Sequence, residues 1–176
     1  MRQRAGAAEG VMGKRIRLKR GDIYRFDLDD NRYGLGQVIE PGGVFYTTVL
    51  RSPVAHDFVL GQVDTSDILL CGWTMDALLF HGRWHLVGKL PVPETDIPTP
   101  CSRVLVKGRR WISDFRAKPL RPATDFEWDH LENHSSRAAI AFENAFKAHH
   151  GLAEMLPSYE KIAIAHVKAQ AKICSA

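Results

Sequence analysis

The sequence predicts an α+β protein in which a curved antiparallel sheet, or an SH3-like small barrel, is followed by one or two C-terminal helices. Two observations support this fold class. Residues 22–50 contain three alternating or β-branched segments separated by short turns, which is typical of an antiparallel meander. Apolar residues recur at helical spacing only after residue 134, so the helices are expected near the C-terminus.

The opening hairpin is the best-defined pair of strands. Tyr24 and Phe26 alternate with polar residues, so their side chains point to one face of the first strand. Residues 33–39 form the predicted returning strand, in which Gly34 and Gly36 share a face. Glycines inside a strand indicate a bulge, a strong twist, or a neighbour that packs closely against the backbone.

The remaining strands are also bounded by turn residues. Residues 44–50, which are β-branched and aromatic, form the clearest of them. The others are expected at residues 67–72, 78–80, 84–87, 103–106 and 110–112. Residues 91–100 contain four prolines, which exclude a helix or a central strand. We interpret them as an extended connector, in preference to a proline-rich ligand for a partner domain.

The C-terminal helices are predicted from helical spacing and from signals at their ends. Ser135 or Ser136 can cap a helix that runs through residues 138–147, and Gly151 fits its end. A second helix is expected to open at Pro157. We expect the apolar face of the first helix to be buried against the sheet. That face consists of Ile140, Phe142 and Phe146.

Charge and composition divide the chain into a flexible basic tail (1–15), an antiparallel β domain (16–125) and a C-terminal helical segment (126–176) packed on it. Seven Lys or Arg and one Glu lie in residues 1–20, so this segment carries a charge of +6. The whole chain has a net charge of +4, so the remainder is slightly acidic, at −2. Nucleic-acid binding needs a basic face on the fold itself. A nucleic-acid partner is therefore not expected, except through the tail.

Several features favour a cytoplasmic location. No run of about 18 apolar residues occurs, so no membrane span is predicted. The basic N-terminus is not followed by the apolar core of a secretory signal. The three cysteines, Cys71, Cys101 and Cys174, lack motif spacing. Each is interpreted as a small buried hydrophobe, and no disulfide framework is predicted.

No pattern in the sequence predicts catalysis, a cofactor or a metal site. The carboxylates of Asp27, Asp29 and Asp30 are interpreted as a solvated turn, because glycosidic chemistry needs two carboxylates that face each other across a site. His130 and His134 are the one histidine pair whose spacing is worth testing for zinc. We therefore expect a binding protein and not an enzyme.

Several motifs occur in a characteristic order. Gly-Asp-Ile-Tyr at 21–24 is followed by Tyr-Gly-Leu-Gly-Gln-Val at 33–38. Trp-His-Leu-Val-Gly-Lys-Leu-Pro at 84–91 then precedes the proline-rich connector, and Arg-Trp-Ile-Ser-Asp lies at 110–114. In this order, over residues 18–150, the motifs resemble those of the immunity protein 26 family of bacterial polymorphic toxin systems.

The resemblance implies a β-rich domain that binds and neutralises a cognate protein toxin, with no chemistry of its own. The toxin would be a secreted or contact-delivered effector. The resemblance also implies that Gly21, Tyr33, Gly34 and Gly36 serve the fold. It identifies no toxin-contacting residues, because such surfaces differ with each cognate toxin.

A shorter stretch, residues 20–29, is similar to the first strand of MazF-type endoribonuclease toxins, which have a small SH3-like barrel. That family continues with an Arg-Pro pair, whereas this chain has Arg-Tyr-Gly-Leu-Gly at 32–36. The similarity therefore carries over the barrel shape at most. The alternative function is a MazF-like endoribonuclease or a nucleic-acid-binding small barrel.

Two acidic runs are the candidate partner-binding residues. They are Asp27, Asp29 and Asp30 in the first turn, and Asp125, Glu127, Trp128 and Asp129 after Pro122. A nuclease toxin needs a basic surface to hold phosphates, so acidic patches would speed its encounter with this chain. Trp128 would serve as an aromatic anchor, with core packing as the alternative.

Overall fold

The computed structural model describes residues 16–28, 30–93 and 97–174, and the predicted tail (1–15) lies outside this part of the chain. The elements are β1 (Asp22–Asp27), β2 (Tyr33–Glu40), β3 (Val44–Leu50), β4 (Ile68–Met75), α1 (Ala77–Phe80), β5 (His85–Lys89), β6 (Ser102–Val106), β7 (Arg109–Ser113), β8 (Pro119–Pro122), α2 (Asp125–His130), β9 (Ser136–Arg137), α3 (Ala139–His149) and α4 (Ile164–Ile173). None of the described helices combines the length and the apolar character needed to cross a bilayer.

The strands form two sheets. The first has the order β5-β1-β2-β3-β4-β9, and all its pairs are antiparallel except β4 with β9. The second is the antiparallel sheet β6-β7-β8. The α+β class and the meander β1 to β4 are confirmed. Within the described residues the first sheet is open at β5 and β9, so it is a curved sheet and not a closed barrel.

The two glycines of β2 make room for two aromatic rings of β1. Tyr24 lies opposite Gly36, and Phe26 lies opposite Gly34. A Cβ atom added at either glycine would come within 2.2 Å of the facing ring. Of the three alternatives given for these glycines, a neighbour packed closely against the backbone is present at both, and it lets both rings lie flat on the strand.

These rings form the centre of the larger hydrophobic core. The indole of Trp84 stacks on Tyr24, with ring centroids 4.6 Å apart and an interplanar angle of 7°. Phe146 of α3 meets Phe26 edge to face at 5.4 Å. Phe142 and Phe146 are fully buried, as predicted, whereas Ile140 is only half-buried.

One carboxylate lies inside this interface between α3 and the sheet. Glu143 is buried and accepts hydrogen bonds from Arg83 (2.8 and 3.1 Å) and from the Trp84 indole (3.3 Å), with the Lys147 ammonium 3.3 Å away. Burial alone would raise the pKa of Glu143, but the hydrogen bonds and the Arg83 charge outweigh it and lower that pKa. The ion pair therefore joins the α1–β5 turn to α3.

The proline-rich connector crosses the opposite face of the sheet. The Gln37 side chain donates to the carbonyls of Leu90 (3.0 Å) and Pro91 (3.1 Å), and the Tyr46 hydroxyl donates to the carbonyl of Pro98 (3.0 Å). Hydrogen bonds from buried side chains thus take the place of the backbone hydrogen bonds between strands that prolines cannot donate. This arrangement agrees with the interpretation of the segment as a structural connector.

Two local predictions were wrong, and two elements were missed. Residues 78–80 lie in the single helical turn α1 and not in a strand, because one turn of helix suffices to place Leu79 in the core. Ser136 pairs with Trp73 in β9, so neither Ser135 nor Ser136 caps α3, which has no side-chain cap. Strand β8 and helix α2 were not predicted.

The cysteines divide into two kinds. Cys71 is buried, and burial raises the pKa of its thiol to about 12, as expected for a small core residue. Cys101 and Cys174, by contrast, are joined in a disulfide, so the interpretation of every cysteine as a buried hydrophobe without a disulfide was wrong for these two. The partners lie 73 residues apart in the chain, so they meet only because the tertiary fold places the end of α4 beside the residue that precedes β6.

We predict that Gly36→Ala lowers the free energy of unfolding by about 1–3 kcal/mol, because the new methyl group displaces the Tyr24 ring from its stack. Urea unfolding followed by circular dichroism measures this change. Gly61→Ala is the matched control, since no atom lies within 4 Å of its Cβ position, and it should be close to neutral. Equal urea midpoints for Gly36→Ala and the wild type would contradict the prediction.

Candidate partner-binding surface

Helix α2 packs on the second sheet and carries the second acidic run. Its N-terminus is closed by a capping box, in which the Thr124 side chain accepts from the Glu127 backbone and Glu127 accepts from the Thr124 backbone at 2.8 Å. The Thr-x-x-Glu sequence that specifies this cap is present, but the short apolar period after it concealed the helix.

The side chain of Glu127 is buried between α2 and β8. Its side chain is 7% exposed and receives a two-pronged ion pair from Arg121 of β8, at 2.6 and 3.0 Å. The Arg121 hydrogen bonds, together with those of Thr124, lower the pKa of Glu127 to about 2. The carboxylate is thus used in holding α2 to β8 and is not presented at the surface.

Trp128 lies between two arginines of the second sheet. The guanidinium carbons of Arg103 and Arg110 are 5.5 and 5.3 Å from the indole ring, within the range of cation–π contacts. Arg103 also donates to the Trp128 carbonyl at 2.8 Å, and Arg110 reaches Asp125 at 3.4 Å. The indole is half-buried, so it is neither a core residue nor a free surface group.

Exposed apolar groups surround this cluster. Leu105 is 61% exposed and lines a shallow concavity with Arg103 and Trp128, while Phe126 is 59% exposed on the outer side of α2. Asp125 and Asp129 are exposed beside them. We call this the α2 surface, formed by Arg103, Leu105, Arg110, Asp125, Phe126, Trp128 and Asp129.

The first acidic run lies on the other sheet, at the β1–β2 turn. Asp27 is exposed, and Asp29 lies outside the described residues. Asp30 accepts from Arg32 (Nε to Oδ2, 2.8 Å), and this hydrogen bond lowers the pKa of Asp30. Arg25 stands 3.9 Å from the centre of the Tyr33 ring nearby. The structure therefore does not bring the two runs together, and each has arginine neighbours.

The histidine pair of the sequence analysis has two separate environments. His130 stacks on Phe126 (4.2 Å) and bonds to its carbonyl at 2.8 Å, whereas the His134 ring lies 5.8 Å from Trp73. In the part of the chain that the structure describes, no group of three or more His, Cys, Asp or Glu is arranged to hold a metal ion.

The arginines that organise this surface were not among the residues predicted from the sequence. Residues 101–122 contain seven Lys or Arg and one Asp, a local charge of +6. A single value of −2 for everything beyond the tail concealed this segment, because residues 21–100, with five Lys or Arg and eleven Asp or Glu, carry a charge of −6 that offsets it. A charge count over shorter windows would have found it.

We predict that Glu127→Gln destabilises the protein at pH 7 and that its deficit shrinks on acidification. A pKa that is lowered in the folded state gives stability that is present above the ordinary value of 4.5 and is lost as the pH falls toward 2. Urea unfolding of both proteins between pH 7 and pH 2.5 measures this. Asp125→Asn, at a side chain that is 96% exposed, should show no such trend. A deficit that is constant across pH would refute the assignment.

Comparison with known sequences adds the family. The sequence model of the family described as Immunity protein 26 matches residues 19–107, which is half of the chain and includes β1 to β6. No protein of curated function and no solved structure matches the chain. The match spans the motifs at 21–24, 33–38 and 84–91 that carried the resemblance, whereas the fourth motif, at 110–114, lies outside it. This chain belongs to the immunity protein 26 family.

Proposed function

We propose that this chain is an immunity protein, which binds a cognate bacterial toxin and neutralises it without chemistry of its own. The observation that carries the proposal is the family match over residues 19–107. Membership of an immunity protein family favours a role in binding over catalysis. The toxin would be a secreted or contact-delivered effector of a polymorphic toxin system, met by the immunity protein in the cytoplasm.

The α2 surface supports this proposal as a docking face. Protein interfaces concentrate their binding energy in a few aromatic and arginine residues surrounded by less critical contacts. Trp128, with Arg103 and Arg110 against its ring, has this composition, and the cation–π contacts hold the indole in place before a partner arrives. A preordered side chain loses less conformational entropy on binding.

The acidic residues would then act at the rim. Asp125 and Asp129 are exposed, and rim charges change association rates more than they change the affinity of the final complex. Glu127 would not act at the rim, because its carboxylate already accepts hydrogen bonds from Arg121. The β1–β2 turn, with Asp27, Asp29 and Asp30, stays in the proposal as a separate docking region.

We predict that Asp125→Lys combined with Asp129→Lys weakens protection against the toxin. Reversal of two rim charges should slow association by about tenfold or more at low salt, with less effect at high salt. The measurements are growth rescue of cells that express the toxin domain encoded beside this gene, and stopped-flow association with that purified domain. The control is Asp57→Lys combined with Glu154→Lys, an equal change of charge at exposed positions outside the α2 surface.

The possible outcomes test the immunity function and the choice of docking face separately. If the wild type neither binds this toxin nor protects cells, the immunity function is wrong. If the wild type protects and the Asp125 and Asp129 variant protects equally across salt concentrations, docking does not depend on the rim of α2. The pair Asp27→Lys and Asp30→Lys tests the β1–β2 turn in the same way, with melting temperatures as a check that each variant is folded.

A further inference from the structure

The second sheet has a face that points away from α2. Side chains that lie directly opposite each other on paired strands share a face. Arg103 pairs with Ile112, and Ile112 pairs with Arg121, which binds Glu127 of α2. The alternate residues therefore point to the other side of the sheet. They include the row Val104, Trp111 and Pro122 and the pair Val106 and Arg109. We call this side the outer face.

The outer face is apolar at its centre. Val104, Val106 and Trp111 are half-buried, and Pro122 is exposed. Across residues 16–28, 30–93 and 97–174, none of these side chains belongs to the three hydrophobic clusters of the protein. The described fold thus leaves a tryptophan and several aliphatic groups without a packed cover on this side.

The margin of the outer face is basic. Lys107 and Arg109 are exposed at the β6–β7 turn, and Lys118 is exposed before β8. Within the described part of the chain, none of these three side chains forms an ion pair with an acidic side chain. They differ in this respect from Arg110 and Arg121, which form ion pairs with acidic side chains of α2.

We propose that the outer face docks an acidic surface of the cognate toxin, with Trp111 as the apolar anchor and Lys107 and Arg109 at the rim. The proposal rests on the proposed immunity function and names the chemistry of the toxin surface that this sheet meets. It concerns the side of the sheet opposite to the α2 surface, so the two docking hypotheses are independent.

The charge and composition of the outer face favour one class of binding partner over the others. A second copy of this chain is disfavoured, because a symmetric contact through this face would bring the exposed Lys107 and Arg109 of one copy against the same cationic residues of the other. Single-stranded nucleic acid is also disfavoured, because it binds on platforms of several stacked aromatics, whereas the centre of this face has one aromatic ring among aliphatic groups. An apolar centre with a tryptophan and a cationic rim is typical of a protein interface.

The test uses the full-length chain and the purified toxin domain encoded beside its gene. Trp111→Ala removes the anchor, and Lys107→Glu combined with Arg109→Glu reverses the rim. Trp111→Phe retains an aromatic ring, and Lys168→Glu combined with Lys172→Glu is the matched charge control on the exposed side of α4. Calorimetry gives Kd, stopped-flow gives association rates between low and high salt, and thermal unfolding shows whether each variant is folded.

We expect Trp111→Ala to raise Kd by tenfold or more, and the double glutamate variant to associate at least tenfold more slowly at low salt. Both controls should stay within about threefold of the wild type. If the wild type binds the toxin and all folded variants bind equally well, the inference is overturned while the immunity function stands. Loss of toxin binding in the wild type overturns both. Binding of a 20-nucleotide single-stranded DNA that Trp111→Ala abolishes, without any effect on toxin binding, would also overturn it.

Discussion

The close packing of two aromatic rings on two glycines is the constraint on which the rest of the structure depends. Tyr24 and Phe26 can lie flat on β2 only because Gly34 and Gly36 carry no side chains. The flat rings then offer their outer surfaces to Trp84, whose stack ties the β5 edge to the centre of the sheet. With the core completed on this face by α3, the opposite face is left to the proline-rich connector and α4.

Buried charge in this protein is used to hold helices onto sheets. Glu143 joins α3 to the α1–β5 turn through Arg83, and Glu127 joins α2 to β8 through Arg121. Both carboxylates have lowered pKa values, because their hydrogen bonds to cationic groups exceed the cost of burial. Acidic residues that look alike in the sequence therefore have different roles. Asp125 and Asp129, by contrast, remain exposed.

The second sheet and α2 form an addition to the larger sheet and have a different electrostatic character. One side of this small sheet uses its arginines internally, on Trp128, Asp125 and Glu127. The other side has a half-buried apolar centre and an exposed basic margin. Under the proposed immunity function, these two sides would be two places at which contacts to a toxin can change while the aromatic core is preserved.

The sequence by itself determined the elements whose signals are local. Alternation in β1, β-branched residues in β3, the prolines of the connector and the helical spacing of Phe142 and Phe146 each predict a structure from neighbouring residues. Tertiary structure alone decided the features that join distant segments. These are the buried ion pair of Glu127 with Arg121, the position of Trp128 between Arg103 and Arg110, and the Cys101–Cys174 disulfide. The physical reason is that exposure and pairing of a side chain depend on which strands and helices become neighbours.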